Sequence, residues 1–226
     1  MDGLLRKLES GVKVTIVALG DSITELTWHT RGHLNWCGYL QEALFEKFGR
    51  NRCFVINAGR CGDTAGGALD RLDDDVLRFA PDLVIISFGM NDSGMPVESF
   101  PEHLNELIAR IRAGSEAEIL LRTPNPIVTP PGTPGESAAA LESADARVGL
   151  LSQTIVDVAG RSKCAIVDHY ALWKNMPAPD ATMKESVDAM WLRMSDSVHP
   201  GPQGHLAFFR ELAPRFNVPV RFGWET

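Results

Sequence analysis

Val12–Leu19, VKVTIVAL, runs directly into Gly20-Asp21-Ser22-Ile23-Thr24, and this stretch decides the architecture of the chain. VTIVAL is apolar on both faces, as a strand is when helices cover both sides of its sheet. Four further short runs have the same β-rich character: Cys53–Asn57, Asp82–Phe88, Ile119–Thr123 and Cys164–Val167. Between them apolar residues recur at helical spacing. Trp36, Leu40, Ala43, Leu44 and Phe48 form one such face, with Asn35 placed to cap its start and Gly49 just past its end. Ala65, Ala68, Leu69, Leu72 and Val76 form another. Ser99 and Glu102 have the spacing of a capping box ahead of Leu104, Leu107, Ile108 and Ile111, and Gly114 follows as a stop. A longer helix is expected over Ser137–Ala159 and a last one over Gln203–Leu212.

Strands that alternate with helices imply right-handed βαβ crossovers, hence a five-stranded parallel sheet between two helical layers. In such α/β/α folds a ligand sits beyond the carboxyl ends of the strands, at the switch in strand order. Polar motifs fall at those ends. GDSIT (20–24) follows the first strand, NAGRCGDT (57–64) the second and FGMND (88–92) the third.

The bulk properties restrict the function. The chain has 226 residues, enough for one domain with a real core and no need of disulfides or metals. Its composition, 44% hydrophobic and 23% charged, excludes a mainly disordered chain. The net charge of -7 lacks the basic footprint of a nucleic-acid binder. Asp73-Asp74-Asp75 reads as a solvated helix face. Cys37, Cys53, Cys61 and Cys164 form no CxxC pair and no zinc spacing, so reduced thiols are expected, with Cys61 as packing. MDGLLRKLESG lacks the apolar core of a signal peptide, and no apolar run approaches the ~18 residues of a membrane span. These features predict a cytoplasmic protein.

A serine hydroxyl is a poor nucleophile unless a base takes its proton. Ser22 therefore requires a histidine, a group to orient that histidine, and donors for an oxyanion. Asp196-Ser197-Val198-His199-Pro200 offers the first two, because a carboxylate three residues upstream can fix the imidazole tautomer and stabilise its cation. The other histidines have weaker claims. His103 falls on an exposed helix face and His205 on a packed one, and His169 has less support than His199. His29 and His33 form an HxxxH pair without a third metal ligand. Three groups could supply oxyanion donors: the N–H of Gly62, the side-chain amide of Asn91 and the N–H of Ser22. Removal of one such donor often costs ~3–4 kcal/mol. Each motif alone has an ordinary explanation as a turn or cap, but their order at successive strand ends favours chemistry. A histidine base predicts activity falling below about pH 6.5.

GDSIT, NAGRCGDT, GMND and DSVH resemble the four signature blocks of the GDSL/SGNH hydrolases, over about Val14 to Leu212. The resemblance implies a flavodoxin-like domain and metal-free ester or thioester hydrolysis, with no cofactor. Ser22, Asp196 and His199 would form the triad, and Ser22, Gly62 and Asn91 the oxyanion hole. GDSIT replaces the eponymous GDSL, and the G-x-S-x-G elbow of the α/β-hydrolases is absent. DSVHPGPQGH and the terminal RFGWET resemble intracellular carbohydrate acetylesterases, xylan acetylesterases included. A small-molecule or carbohydrate ester is the implied partner.

Asp21, Trp28 and Trp36 lie near the nucleophile in sequence. They are candidates for substrate contact, although the tryptophans could equally be packing. Pro124–Gly135, with five prolines in twelve residues, would either shape the cleft or merely connect two elements. Trp173–Met194 could line the leaving-group side, cover the cleft or form a homo-oligomer contact. The competing readings are a general short-chain esterase, thioesterase or lysophospholipase, and a non-catalytic flavodoxin-like binding module. Neither a Walker loop nor GxGxxG follows the first strand, which disfavours nucleotide binding.

Overall fold

The computed structural model describes residues 1–25, 28–175 and 190–220. The described elements run in the order α1 (Asp2–Glu9), β1 (Val14–Gly20), α2 (Ser22–Glu25), α3 (Trp36–Phe48), β2 (Cys53–Gly59), α4 (Ala65–Asp70), α5 (Leu72–Asp75), β3 (Leu83–Ser87), α6 (Phe100–Gly114), β4 (Glu118–Arg122), α7 (Gly135–Ser162), β5 (Ala165–Val167), α8 (His169–Lys174) and α9 (Pro202–Phe216), with short 3-10 turns between some of them. The five strands are all parallel and lie in the order β2-β1-β3-β4-β5. This is the flavodoxin-like order, with its switch point between β1 and β3.

Alternation along the strands builds two cores. Ile16 and Ala18 of β1, with Ile85 and Leu120, pack under α1, α3, α8 and α9. Val17 and Leu19, with Val84, Ile86 and Leu121, pack under α4, α5, α6 and α7. The central strands are therefore buried on both faces, as their continuous apolar runs require.

Most local expectations hold. Asn35 caps α3 by accepting from the N–H of Gly38 (3.0 Å), and Gly49 ends it at φ 91°. Four readings need correction. The helix expected over Ala65–Val76 is two helices, broken at Arg71, whose φ of -116° leaves the helical region as its side chain turns inward. Ser99 does not close a capping box: its hydroxyl donates to the Pro96 carbonyl, and Pro101 opens the first turn of α6 instead. Cys61 is exposed, not packed, and all four cysteines are free thiols. Asp73 and Asp74 are solvated, but Asp75 pairs with Arg71 at 2.9 Å. Helix α1, which the sequence reading passed over, buries Leu4 and Leu8. No described helix is long and apolar enough to cross a membrane. Residues 176–189 of the aromatic and methionine-rich stretch, and the terminal RFGWET, lie outside the described residues.

Candidate active site

Ser22 opens α2 immediately beyond the end of β1. Asp21 makes the turn: its carbonyl accepts from Thr24 and Glu25, and its carboxylate accepts from Ile23 at 3.0 Å. The N–H of Ser22 lies in a first turn, where helical N–H groups have no intrahelical acceptor. Gly59, at the end of β2, passes so close to this turn that a Cβ there would fall on the backbone of Glu25.

The opposing loop comes from the segment before α9. Met194 and Pro200 pair as an antiparallel bridge, and the N–H of Ser195 donates to the His199 carbonyl at 2.8 Å. The loop thus folds back on itself, and this brings Asp196 to the Nδ1 edge of the imidazole. Asp196 Oδ1 accepts from the N–H groups of Val198 (2.8 Å) and His199 (2.7 Å). Its Oδ2 lies 2.9 Å from His199 Nδ1, and His199 Nε2 lies 3.1 Å from Ser22 Oγ. A carboxylate at Nδ1 fixes the proton there and leaves the Nε2 lone pair toward the hydroxyl. Burial alone would raise the Asp196 carboxyl; the two N–H donors and the charge of His199 outweigh it and hold the group below its ordinary value.

Two further loops border this line of residues. Gly62 has φ 74°, in the left-handed region, and open space where a side chain would start. Asn91 Nδ2 donates to the Asp63 carbonyl at 2.9 Å, which commits one amide hydrogen and leaves the other. Asp92 fastens the same loop, accepting from Ala65 (2.9 Å) and Gly89 (3.0 Å). Arg71 ties the strand ends together. It donates to the carbonyls of Gly20 (3.1 Å) and Ala58 (2.9 Å) and pairs with Asp63 at 2.7 Å. The arrangement sets a serine hydroxyl, an imidazole and a carboxylate in one hydrogen-bonded line at this sheet end.

The family model for GDSL-like lipases and acylhydrolases matches residues 18–207. The chain belongs to this family. Among curated proteins it is similar to an arylesterase of Vibrio mimicus, 30% identical over 109 residues, and to esterase TesA of Pseudomonas aeruginosa, 31% identical over 109 residues. Each match covers 47% of this chain and 53% of the relative, so the chain spans about half the length of the curated relatives it matches. Among solved structures it is similar to an acetylxylan esterase of Geobacillus stearothermophilus, with TM-score 0.68, 18% identity, and 94% and 98% of the two chains covered. A lipase/acylhydrolase of Enterococcus faecalis gives TM-score 0.67 and 23% identity, covering 93% of this chain and 100% of the other.

In this GDSL-like chain the remaining candidates separate by burial. Trp28 is 67% exposed. Trp36 is fully buried, its ring 4.6 Å from the Arg122 guanidinium, so it presents no face to a sugar. Asp21 is also buried, where desolvation raises its carboxyl to about 7 against the opposing pull of the Ile23 N–H and Arg122. Its hydrogen bonds hold the turn. His205 is buried and accepts from the Trp36 N–H, and His169 pairs with Glu211 at 2.5 Å. His103, expected in solvent, is half-buried against Gly66.

Sequence reasoning missed Arg71, Asp92 and, above all, His29. His29 is buried, and its ring stacks on His199 with centroids 4.2 Å apart and planes 11° apart. His33, by contrast, is exposed. His29, Asp196 and His199 bring ligand atoms within 4.8 Å of one another. An imidazole binds a metal in its own plane, so two nearly parallel stacked rings do not aim their nitrogens at one ion. The cluster has the composition of a metal site and the geometry of a stack.

Proposed function

We propose that this chain hydrolyses short-chain carboxylic esters, with O-acetyl groups of carbohydrates as its substrate class. Ser22 is the nucleophile, His199 the general base and acid, and Asp196 the group that orients it. The observation that carries this reading is the unbroken hydrogen-bonded line from Ser22 Oγ through His199 to Asp196, at 3.1 and 2.9 Å.

His199 takes the Ser22 proton as Oγ attacks the ester carbonyl carbon, and Asp196 offsets the positive charge that forms. The N–H groups of Ser22 and Gly62 and the free amide hydrogen of Asn91 receive the oxyanion. His199 then protonates the leaving alcohol. Water, deprotonated by the same imidazole, attacks the acyl carbon, and the imidazolium returns that proton to Ser22 Oγ as the acyl bond breaks and the acid leaves. Every step uses groups that the chain supplies, and the site residues call for no metal.

The acetyl-carbohydrate assignment draws support from the Geobacillus acetylxylan esterase, whose solved catalytic mutants replace a serine, an aspartate and a histidine, the last two three residues apart. Asp196 and His199 have the same spacing. Trp28, exposed beside the His29–His199 stack, is an aromatic face for a pyranose ring. A general short-chain esterase or thioesterase is the competing reading, favoured by the arylesterase and TesA relatives.

Hydrolysis of p-nitrophenyl acetate, butyrate and octanoate, measured beside a peracetylated xylose, separates the two. Preference for acetyl groups on the sugar supports the proposal. Preference for octanoate or for a thioester moves the substrate to lipids or acyl carriers.

A further inference from the structure

His29 is 3% exposed, and neither ring nitrogen has a hydrogen-bond partner among the described residues. Leaving two polar atoms dry and unpaired is costly, and an apolar side chain of similar volume would avoid the cost. What the ring does contact is the candidate base. It lies flat on His199, while the Trp28 ring sits 3.5 Å from it at 31°. Its Nδ1 is 3.9 Å from Asp196 Oδ2, too far for a hydrogen bond.

We propose that His29 is a positioning residue for ester hydrolysis: its ring, stacked flat on His199, holds the base in the plane that reaches both Ser22 and Asp196. The inference rests on the reading of His199 as the base. Both hydrogen bonds of His199 lie in its ring plane, so a tilt of the imidazole about its side-chain axis breaks them together. The flat face of His29 blocks that tilt. A neutral aromatic face also attracts the positive charge His199 gains as Ser22 attacks.

The electrostatics keep His29 neutral. Burial lowers its proton affinity and the charge of His199 lowers it further, against a smaller opposing pull from Asp196. The titratable groups that face it are His199 and Asp196 from the 194–200 loop and His205 from α9. Burial pushes His205 down to about 3, so it too stays neutral while the base is charged.

The test compares His29→Phe, His29→Leu and His29→Ala in the full chain, using pH profiles of kcat and KM on p-nitrophenyl acetate and a thermal melt of each. Phe keeps the flat aromatic face and is expected to stay within about threefold of wild type. Leu and Ala are expected to lose roughly tenfold in kcat with KM little changed, since the base is no longer held. If Ala melts below the assay temperature, Leu carries the same comparison. Wild-type kcat in Leu overturns the proposal, as does a loss in Phe equal to that in Leu. A Ser22→Ala control keeps the two readings apart: if that variant retains activity the hydrolytic reading itself fails, whatever the His29 variants do.

Discussion

Asn125 Nδ2 donates to the carbonyl of Val198 at 3.0 Å, one residue before His199. The N–H of Val128 donates to Ser197 at 2.9 Å, so the proline-rich stretch after β4 grips the His199 loop at two points. Its first half is a brace, while Pro131, Gly132, Pro134 and Gly135 are exposed. Asn125→Ala is expected to cost about 1–3 kcal/mol in urea unfolding, because it strips a buried hydrogen bond. It should also lower kcat by roughly tenfold as His199 loses its setting. A stability loss with unchanged kcat would mean that the brace serves the fold alone.

Asn91 is anchored by the Asp63 carbonyl, and its second amide hydrogen is the proposed oxyanion donor. Asn91→Ala is expected to reduce kcat by about 10²–10³ with KM little altered, since the donor acts on charge that forms only during reaction. Asn91→Asp should be no better, because a carboxylate accepts where a donor is needed. Steady-state kinetics on p-nitrophenyl acetate decide it. A parallel rise in KM would place Asn91 in ground-state binding instead.

Stability should carry the mark of His205. Its folded-state value is about 3, far below the ordinary 6.5, with burial as the main cause and Arg122 adding to it. Between those values the unfolded chain binds the extra proton, so this contribution is present above about pH 6.5 and lost as pH falls toward 3. Asp21 and Glu211 act in the opposite sense. Burial raises both to about 7, so the folded state holds their protons and stability declines as pH rises from the carboxylate range to about 7. The two trends offset in wild type, and a variant isolates one of them. In His205→Asn the amide oxygen can replace Nδ1 as acceptor for Trp36. The variant should gain on wild type by a few kcal/mol between pH 6.5 and 3, at about 1.4 kcal/mol per pKa unit. Urea unfolding across that range tests it; a constant difference between the two proteins contradicts it.

The sheet was legible because buried parallel strands leave continuous apolar runs, and VTIVAL and LVIIS carry that signal on their own. The motifs at the strand ends were legible because the switch-point rule says where to look. Arg71 was not. A lone arginine inside a helical apolar pattern reads as solvent-facing, yet here it satisfies the carbonyls of Gly20 and Ala58 and breaks the helix to do so. His29 was hidden for a related reason: its partner, His199, lies far along the chain, and its HxxxH spacing to His33 lacked a third ligand and suggested no other role. The sequence left Trp36 open between substrate contact and packing, and α3 turns it into the core beside Arg122. Local pattern reveals which face is apolar; it does not reveal which polar side chains are drawn inward by partners from distant strands.

The most direct test of the account is covalent labelling of the intact chain with a fluorophosphonate, read by peptide mass spectrometry and paired with hydrolysis of p-nitrophenyl acetate by wild type and Ser22→Ala. The account predicts one adduct, on Ser22, with at least about 10⁴-fold loss of turnover and no labelling in the variant. An adduct on another residue, or a Ser22→Ala chain that still hydrolyses the ester, would contradict it.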